Sequence, residues 1–239
     1  MNAPGFLIRQ IQTVWQHKGI VSTMLLPLSW LARWAIARKK DQYQRGRRTT
    51  TQSSRPVLVV GNLYIGGTGK TPVVIALAQA LKARGWQPGV ISRGYGVAIG
   101  KRAKAGRGDL NPAEFGDEPA LIARLAQVPV AIHPQRALAL RELERAYPDV
   151  DVVISDDGLQ HRALGRDIEF VVQDDRGVGN GRVLPAGPLR EPADKLQDVD
   201  YVVTNLGTDQ TAPERLPTKA RQLSLRLNPA QVIQVHTQT

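Results

Sequence analysis

From Pro56 onward, short apolar runs alternate with stretches whose apolar residues recur at helical spacing. The runs "PVLVVG" (56–61), "PGVIS" (88–92), "VPVAI" (128–132), "VDVVIS" (150–155), "IEFVVQ" (168–173) and "DYVVTN" (200–205) are apolar almost throughout, which predicts strands covered on both faces. Between them, "VVIALAQALKARG" (73–85), "ALIARLAQ" (120–127) and "QRALALRELERAY" (135–147) predict amphipathic helices. The order predicts an α/β domain over 56–216: a mostly parallel sheet with helices on both faces and its ligand site at the carboxyl ends of the strands. After Pro217 the runs "RQLSLRL" and "QVIQVHTQ" alternate as half-buried strands do, and predict the opening hairpin of a smaller second α/β unit, 217–239, begun and not finished.

The first 48 residues follow a different pattern. "GIVSTMLLPLSWLARWAIA" (19–37) is largely apolar but interrupted by Pro27 and Arg33, and is marginal in length for a span, which needs roughly 20 apolar residues. Trp15, Trp30 and Trp34 lie in or just before it, and "RKKDQYQRGRR" follows directly. Indole rings favour the headgroup boundary and Lys/Arg clusters are drawn to anionic lipid, so the segment predicts a helix lying in a membrane interface. The alternative is a helix packed on the protein's own core with a solvated basic tail. "AIA" at 35–37 imitates a signal-peptidase site, but the basic residues that follow it argue against export. "TTTQSSR" (49–55) reads as a linker.

Charge sharpens this division. Of the net +11, residues 1–55 hold ten Lys/Arg against Asp41 alone, a net of +9, leaving 22 basic and 20 acidic residues in 56–239. A near-neutral body makes nucleic acid an unexpected partner. The absence of cysteine excludes a disulfide scaffold, a thiolate metal site and a cysteine nucleophile.

The chemistry concentrates in a few motifs. "GNLYIGGTGKTP" (61–72) joins a strand to a helix through Gly66, Gly67, Thr68 and Gly69, whose backbone N–H groups can converge on an anion at a helix N-terminus. Lys70 is expected to reach the terminal phosphates of a nucleotide and the Thr71 hydroxyl to ligate Mg²⁺. Pro72 suits a first helical turn, where its missing N–H is not needed. The spacing departs from the usual phosphate loop, because Tyr64 stands where a glycine is ordinary. "VDVVISDDGLQH" ends a strand in Asp156 and Asp157, of which at least one is expected to hold the metal. In "FGDEPALIA", Asp117 is either a helix N-cap or the carboxylate that accepts a sugar hydroxyl's proton. Arg93 in "ISRGYG" and Arg190 in "PAGPLREP" are candidates to steady phosphate charge. His161 is a candidate substrate contact, and the histidines show no metal spacing. "GKRAKAGRGDLNPAEF" (100–115), with Lys101, Arg102, Lys104 and Arg107, reads as either a mobile lid or a solvated loop.

Taken together, "GNLYIGGTGKTP", "ISRGYG", "GDEP", "DDGLQH" and "LPAGPLREP", behind a membrane-seeking helix, resemble the tetraacyldisaccharide 4'-kinase family, over the chain as far as about Asn205. The resemblance implies a P-loop NTPase-like fold and ATP/Mg²⁺-dependent phosphorylation of a lipid disaccharide at the cytoplasmic face of the inner membrane. It makes Tyr64 a family variation. It implies Lys70 and Asp117 as catalytic residues, Asp117 being the base, and Thr71, Asp156 and Glu118 as metal groups. Asn62, Arg93, Asp157, Gln160, His161 and Arg190 are implied as substrate contacts. Members continue into a second domain with a Phe-x-Asp-His-His segment, which these 239 residues lack.

Two other classes compete. A GTPase-type metallochaperone would need an Asn-Lys-x-Asp guanine reader, and "TNLGTD" (204–209) has no lysine. A membrane-attached nucleotide-binding module without turnover would bind ATP and transfer nothing.

Overall fold

The structure is a computed structural model and describes residues 13–207 and 216–227. After a helical stretch at 13–16 come α1 (Ile20–Met24) and α2 (Leu26–Gln44). The body follows as β1 (Val57–Gly61), α3 (Lys70–Lys82), β2 (Pro88–Ser92), β3 (Lys104–Gly106), α4 (Pro112–Phe115), α5 (Asp117–Ala126), β4 (Val130–Ile132), α6 (Arg136–Ala146), β5 (Val152–Asp156), β6 (Ile168–Gln173), a 3₁₀ turn at Ala193–Gln197, β7 (Tyr201–Leu206) and β8 (Arg221–Arg226). Among the described residues the strands form one eight-stranded sheet in the order β3-β4-β2-β5-β1-β6-β7-β8, in which only β3 runs antiparallel to its neighbour.

Period-two alternation divides each apolar strand between two cores. Val57 and Val59 of β1 face the side covered by Ala139, Leu140 and Leu143 of α6. Leu58 and Val60 face the side covered by Val73, Val74 and Ala78 of α3 and Ile122, Ala123 and Ala126 of α5. Helices therefore cover both faces, as the uninterrupted apolar runs require.

One expectation is corrected: "RQLSLRL" does not stand apart from the main sheet, because Arg221–Arg226 pairs in parallel with β7, Tyr201 opposite Arg221 through Leu206 opposite Arg226, and so extends it. Its alternation reflects an edge strand that is exposed over most of its length. "QVIQVHTQ" lies outside the described residues, as does His236. Within the segment 100–115, Lys104–Gly106 pairs antiparallel with β4 and Pro112–Phe115 forms a helical turn capped by Asn111.

The N-terminal helices sit on the body with an inverted polarity. Ser22 and Ser29 are buried, whereas Ile20, Val21, Met24, Leu28, Trp30, Leu31 and Trp34 are exposed. Ser22 donates its hydroxyl to Ala186 O, and Ser29 donates to Val183 O at 2.7 Å and accepts from Ala186 N at 2.9 Å. Ala32 and Ile36 reach the α6-side core. Among the described residues no helix is long and apolar enough to cross a membrane.

Candidate active site

Strand pairing assembles the site. β1 lies between β5 and β6, and its pairing with β5 sets Val60 opposite Asp156, so the glycine-rich turn and the aspartate pair leave adjacent strand ends side by side. The turn from Gly61 to Gly69 then feeds α3, which begins at Lys70. Gly69 adopts φ +85°, and a Cβ there would lie 2.2 Å from the Asn205 amide, so only glycine fits.

The loop is held from several sides. Asn62 is fully buried and donates to Tyr64 O at 2.7 Å and Gly66 O at 3.0 Å. Gln160 donates to Asn62 O at 3.2 Å, and Asn205 reaches Thr68 O at 3.5 Å from the tip of β7. The Asn62 side-chain N–H groups are thus taken by loop carbonyls and shape the loop, while its Oδ1 has no partner among the described residues. Tyr64 is buried as well, with the Arg176 guanidinium over its ring at 4.4 Å, and the same arginine donates to Gly67 O at 2.6 Å. The aromatic ring in place of the ordinary glycine thus provides a platform for an arginine that grips the loop.

Asp157 is the electrostatic centre. It takes the left-handed conformation, φ +47°, uncommon outside glycine, and accepts two hydrogen bonds from Arg190, at 3.0 and 3.2 Å. Lys70 Nζ lies 3.6 Å from the same carboxylate. Burial works to raise this carboxyl, but Lys70, Arg190 and Arg136 together hold it below the usual range.

Asp156 behaves in the opposite way. It is buried, accepts from Ser92 Oγ at 2.9 Å through one oxygen, and among the described residues has no partner on the other, Oδ1. Burial pushes its carboxyl up to about 6; Ser92 opposes this, and the Glu118 charge adds to it. Beneath the pair, Arg136 donates to Asp156 O at 2.9 Å and to His133 O at 3.2 Å. Burial lowers that guanidinium to about 10. His161 is lowered to about 4 by burial and then by Arg136, so its ring is neutral near pH 7.

Among the described residues no three His, Asp or Glu side chains cluster as a metal cage. Mg²⁺ seldom uses one: it takes one or two carboxylates and completes its octahedron with phosphate and water. The orphaned Asp156 Oδ1, within the field of Glu118, fits that habit.

Asp117 opens α5, exposed, and its side chain makes no capping hydrogen bond; the N-cap is Gly116, so the capping alternative is removed. Gly116 takes φ +89°, and a Cβ there would meet Tyr95 O at 2.8 Å, so glycine lets the start of α5 press against the Arg93–Gly96 turn. Arg93 is exposed there and acts on the charge of both Arg136 and His161. Among the described residues Asp117 forms no ion pair with Lys70 or Arg190, the cations on Asp157. The sequence pattern did not single out Ser92, Arg136, Arg176 or Asn205. Ser92 stood next to Arg93, and Arg136 was an arginine at the head of an apolar helix; both signals were visible and lacked a partner.

A family model described as Tetraacyldisaccharide-1-P 4'-kinase matches residues 21–239. The Tetraacyldisaccharide 4'-kinase of Bordetella parapertussis is 55% identical over 229 residues, which cover 96% of this chain and 66% of that protein. That of Bordetella petrii is 57% identical over 224 residues, 91% and 62% respectively. Among solved structures, "apo" form LpxK from Aquifex aeolicus in complex with ATP superposes with a TM-score of 0.74 at 31% identity, over 86% of this chain and 64% of that one. The chain spans just under two thirds of the length of these relatives.

Proposed function

Because the chain belongs to the tetraacyldisaccharide-1-P 4'-kinase family, we propose that it transfers the γ-phosphoryl group of ATP to the 4'-hydroxyl of a tetraacyldisaccharide 1-phosphate, a step of lipid A synthesis. The observation that carries the reading is the junction of Lys70 and Arg190 on Asp157, one strand from the phosphate loop. A. aeolicus LpxK, whose fold this chain shares, was solved with ATP.

Phosphoryl transfer asks mainly for positioning and for charge stabilisation. The amides of Gly66, Gly67, Thr68 and Gly69, at the N-terminus of α3, would receive the phosphates, and Lys70 would neutralise their growing charge. Thr71, Asp156 and Glu118 would hold Mg²⁺, which would offset the charge that develops on the phosphates. Asp157 is kept ionised by its cations and holds Lys70 and Arg190 in place. Asp117, exposed at the head of α5, would orient the sugar hydroxyl and accept its proton. Arg93, Gln160 and neutral His161 would contact the substrate. If Asp117 is the base, Asp117→Ala will lower kcat by about 10²–10⁴-fold with little change in the KM for ATP. A kcat within about threefold of wild type would remove it from that role.

The inverted N-terminal helices supply the docking surface in this reading. Burying serines while exposing two tryptophans and five aliphatic side chains is unfavourable in water and favourable where that face meets acyl chains. Lys39, Lys40, Arg45, Arg47 and Arg48 follow on the same segment, and Arg38 lies over Trp34 at 5.2 Å. The protein would then rest on the cytoplasmic face of the inner membrane, where anionic lipid meets the basic residues. The Trp30→Ser, Trp34→Ser double variant is expected to bind phosphatidylglycerol vesicles about tenfold or more weakly in flotation, with catalysis on a short-chain soluble analogue retained. Unchanged flotation would show that this face is not the docking surface.

A further inference from the structure

The segment 174–191 touches both the phosphate loop and the N-terminal helices, and only Arg190 of it has a place in the chemistry above. Near its start, Arg176 pairs with Asp174, donates to Gly67 O at 2.6 Å and stacks over Tyr64. Near its end, Ile65 N donates to Pro188 O at 2.9 Å and Arg190 N to Leu63 O at 2.7 Å, while Tyr64 and Leu189 form an antiparallel bridge. The phosphate loop is thus gripped at two points by one stretch of chain.

Between those points the segment turns to the N-terminal helices. Asn180 is buried and donates from Nδ2 to Ser22 Oγ and to Ala186 O, each at 3.0 Å, while its Oδ1 accepts from Arg182 N at 3.0 Å. Its backbone N donates to Trp15 O at 3.0 Å, and Trp15 Nε1 donates to Pro185 O at 3.1 Å. Ser29 holds Val183 O and Ala186 N. Gly187 is forced by the same packing, because a Cβ there would lie 2.2 Å from Asn180 Oδ1.

We propose that this segment is a strap that sets the geometry of the phosphate loop, with Arg176 and Asn180 as its positioning residues. The proposal rests on the nucleotide-binding reading above. Arg176 acts through shape: its N–H groups are divided between a loop carbonyl and Asp174 while its plane covers Tyr64. A lysine ammonium has the charge but neither the fork nor the plane. Asn180 acts from between the two grips, anchoring the strap to α1. Loosening that anchor frees the stretch from Val183 to Leu189, which carries the second grip on the loop. Nucleotide affinity therefore depends on a side chain bonded to the N-terminal helix.

The test is MgATP affinity by titration calorimetry on the full chain, for wild type, Arg176→Ala, Arg176→Lys, Asn180→Ala and, as reference, Lys70→Ala. Arg176→Ala and Arg176→Lys are expected to weaken binding alike, by about tenfold, and Asn180→Ala by about threefold or more. Amide exchange at 63–67 is expected to speed up in the Asn180 variant while the strands keep their protection. Asn180→Asp, which keeps the side-chain volume and the Oδ1 acceptor, serves as the second variant if alanine does not fold. Equal binding by wild type and Lys70→Ala would sink the nucleotide reading itself. With that reading intact, wild-type affinity in Arg176→Lys would assign Arg176 a charge role, and wild-type affinity in a folded Asn180 variant would disconnect the helix; either result overturns the strap.

Discussion

Lys70→Ala is expected to lower kcat/KM for phosphoryl transfer by about three orders of magnitude and to weaken MgATP binding, with the fold retained. Lys70 is the first residue of α3, where the helix N-terminus and the loop amides already concentrate positive potential. Its side chain is only 13% exposed, so its charge acts with little screening by solvent. Its removal also strips Asp157 of one of its cations and leaves Arg190 to hold that carboxylate. The residue belongs to neither apolar core, so the melting temperature should change little. Steady-state kinetics with a parallel binding titration would check this. A loss below about fivefold in kcat/KM would place the phosphates elsewhere.

Asp156→Asn should produce a second large loss, about 10²–10³-fold in kcat, together with a gain in stability. The amide keeps the shape and an acceptor for Ser92, and it removes the charge that would face Mg²⁺. The sign of the stability change follows from the raised carboxyl. A carboxyl shifted up to about 6 in the folded protein favours folding fully only below its unfolded value, and that contribution is lost as pH rises through about 6. At pH 8 wild type therefore carries the full cost of a buried carboxylate, and Asp156→Asn should be more stable by about 1–3 kcal/mol. Below about pH 5 the difference should shrink towards zero. Wild-type Mg²⁺ affinity should fall as pH drops through about 6, a dependence that the variant lacks. Melting curves at pH 5 and pH 8 measure the effect; a variant less stable than wild type at pH 8 would contradict it.

The sheet was legible because its strands are apolar on both sides, which neither an exposed hairpin nor a single-faced sheet would tolerate. Val57 to Gly61, Pro88 to Ser92 and Ile168 to Gln173 fall on the expected runs to within a residue. The edges were harder to read. Arg221–Arg226 alternates because it is a solvent-facing edge strand, and the same alternation would suit the start of a separate unit. Lys104–Gly106 is too short and too polar to leave a signal. In the site, Lys70, Asp157 and Arg190 were recognisable because each stands in a glycine- or proline-marked turn that only close packing explains. For Asn62, sequence places the residue in the loop, and only coordinates show its side-chain N–H groups turned onto Tyr64 O and Gly66 O. Arg136 and Arg176 escaped because an arginine's role depends on which carbonyls it reaches, 20 and 109 residues away.

The most direct measurement is to incubate the full chain with γ-labelled ATP, Mg²⁺ and a tetraacyldisaccharide 1-phosphate in mixed micelles, and to locate the label on the product by phosphorus–proton correlation. A new phosphomonoester on the 4'-oxygen, absent with Asp117→Ala, is the predicted result. Tight MgATP binding with no label transferred, or label on a different hydroxyl, would contradict it.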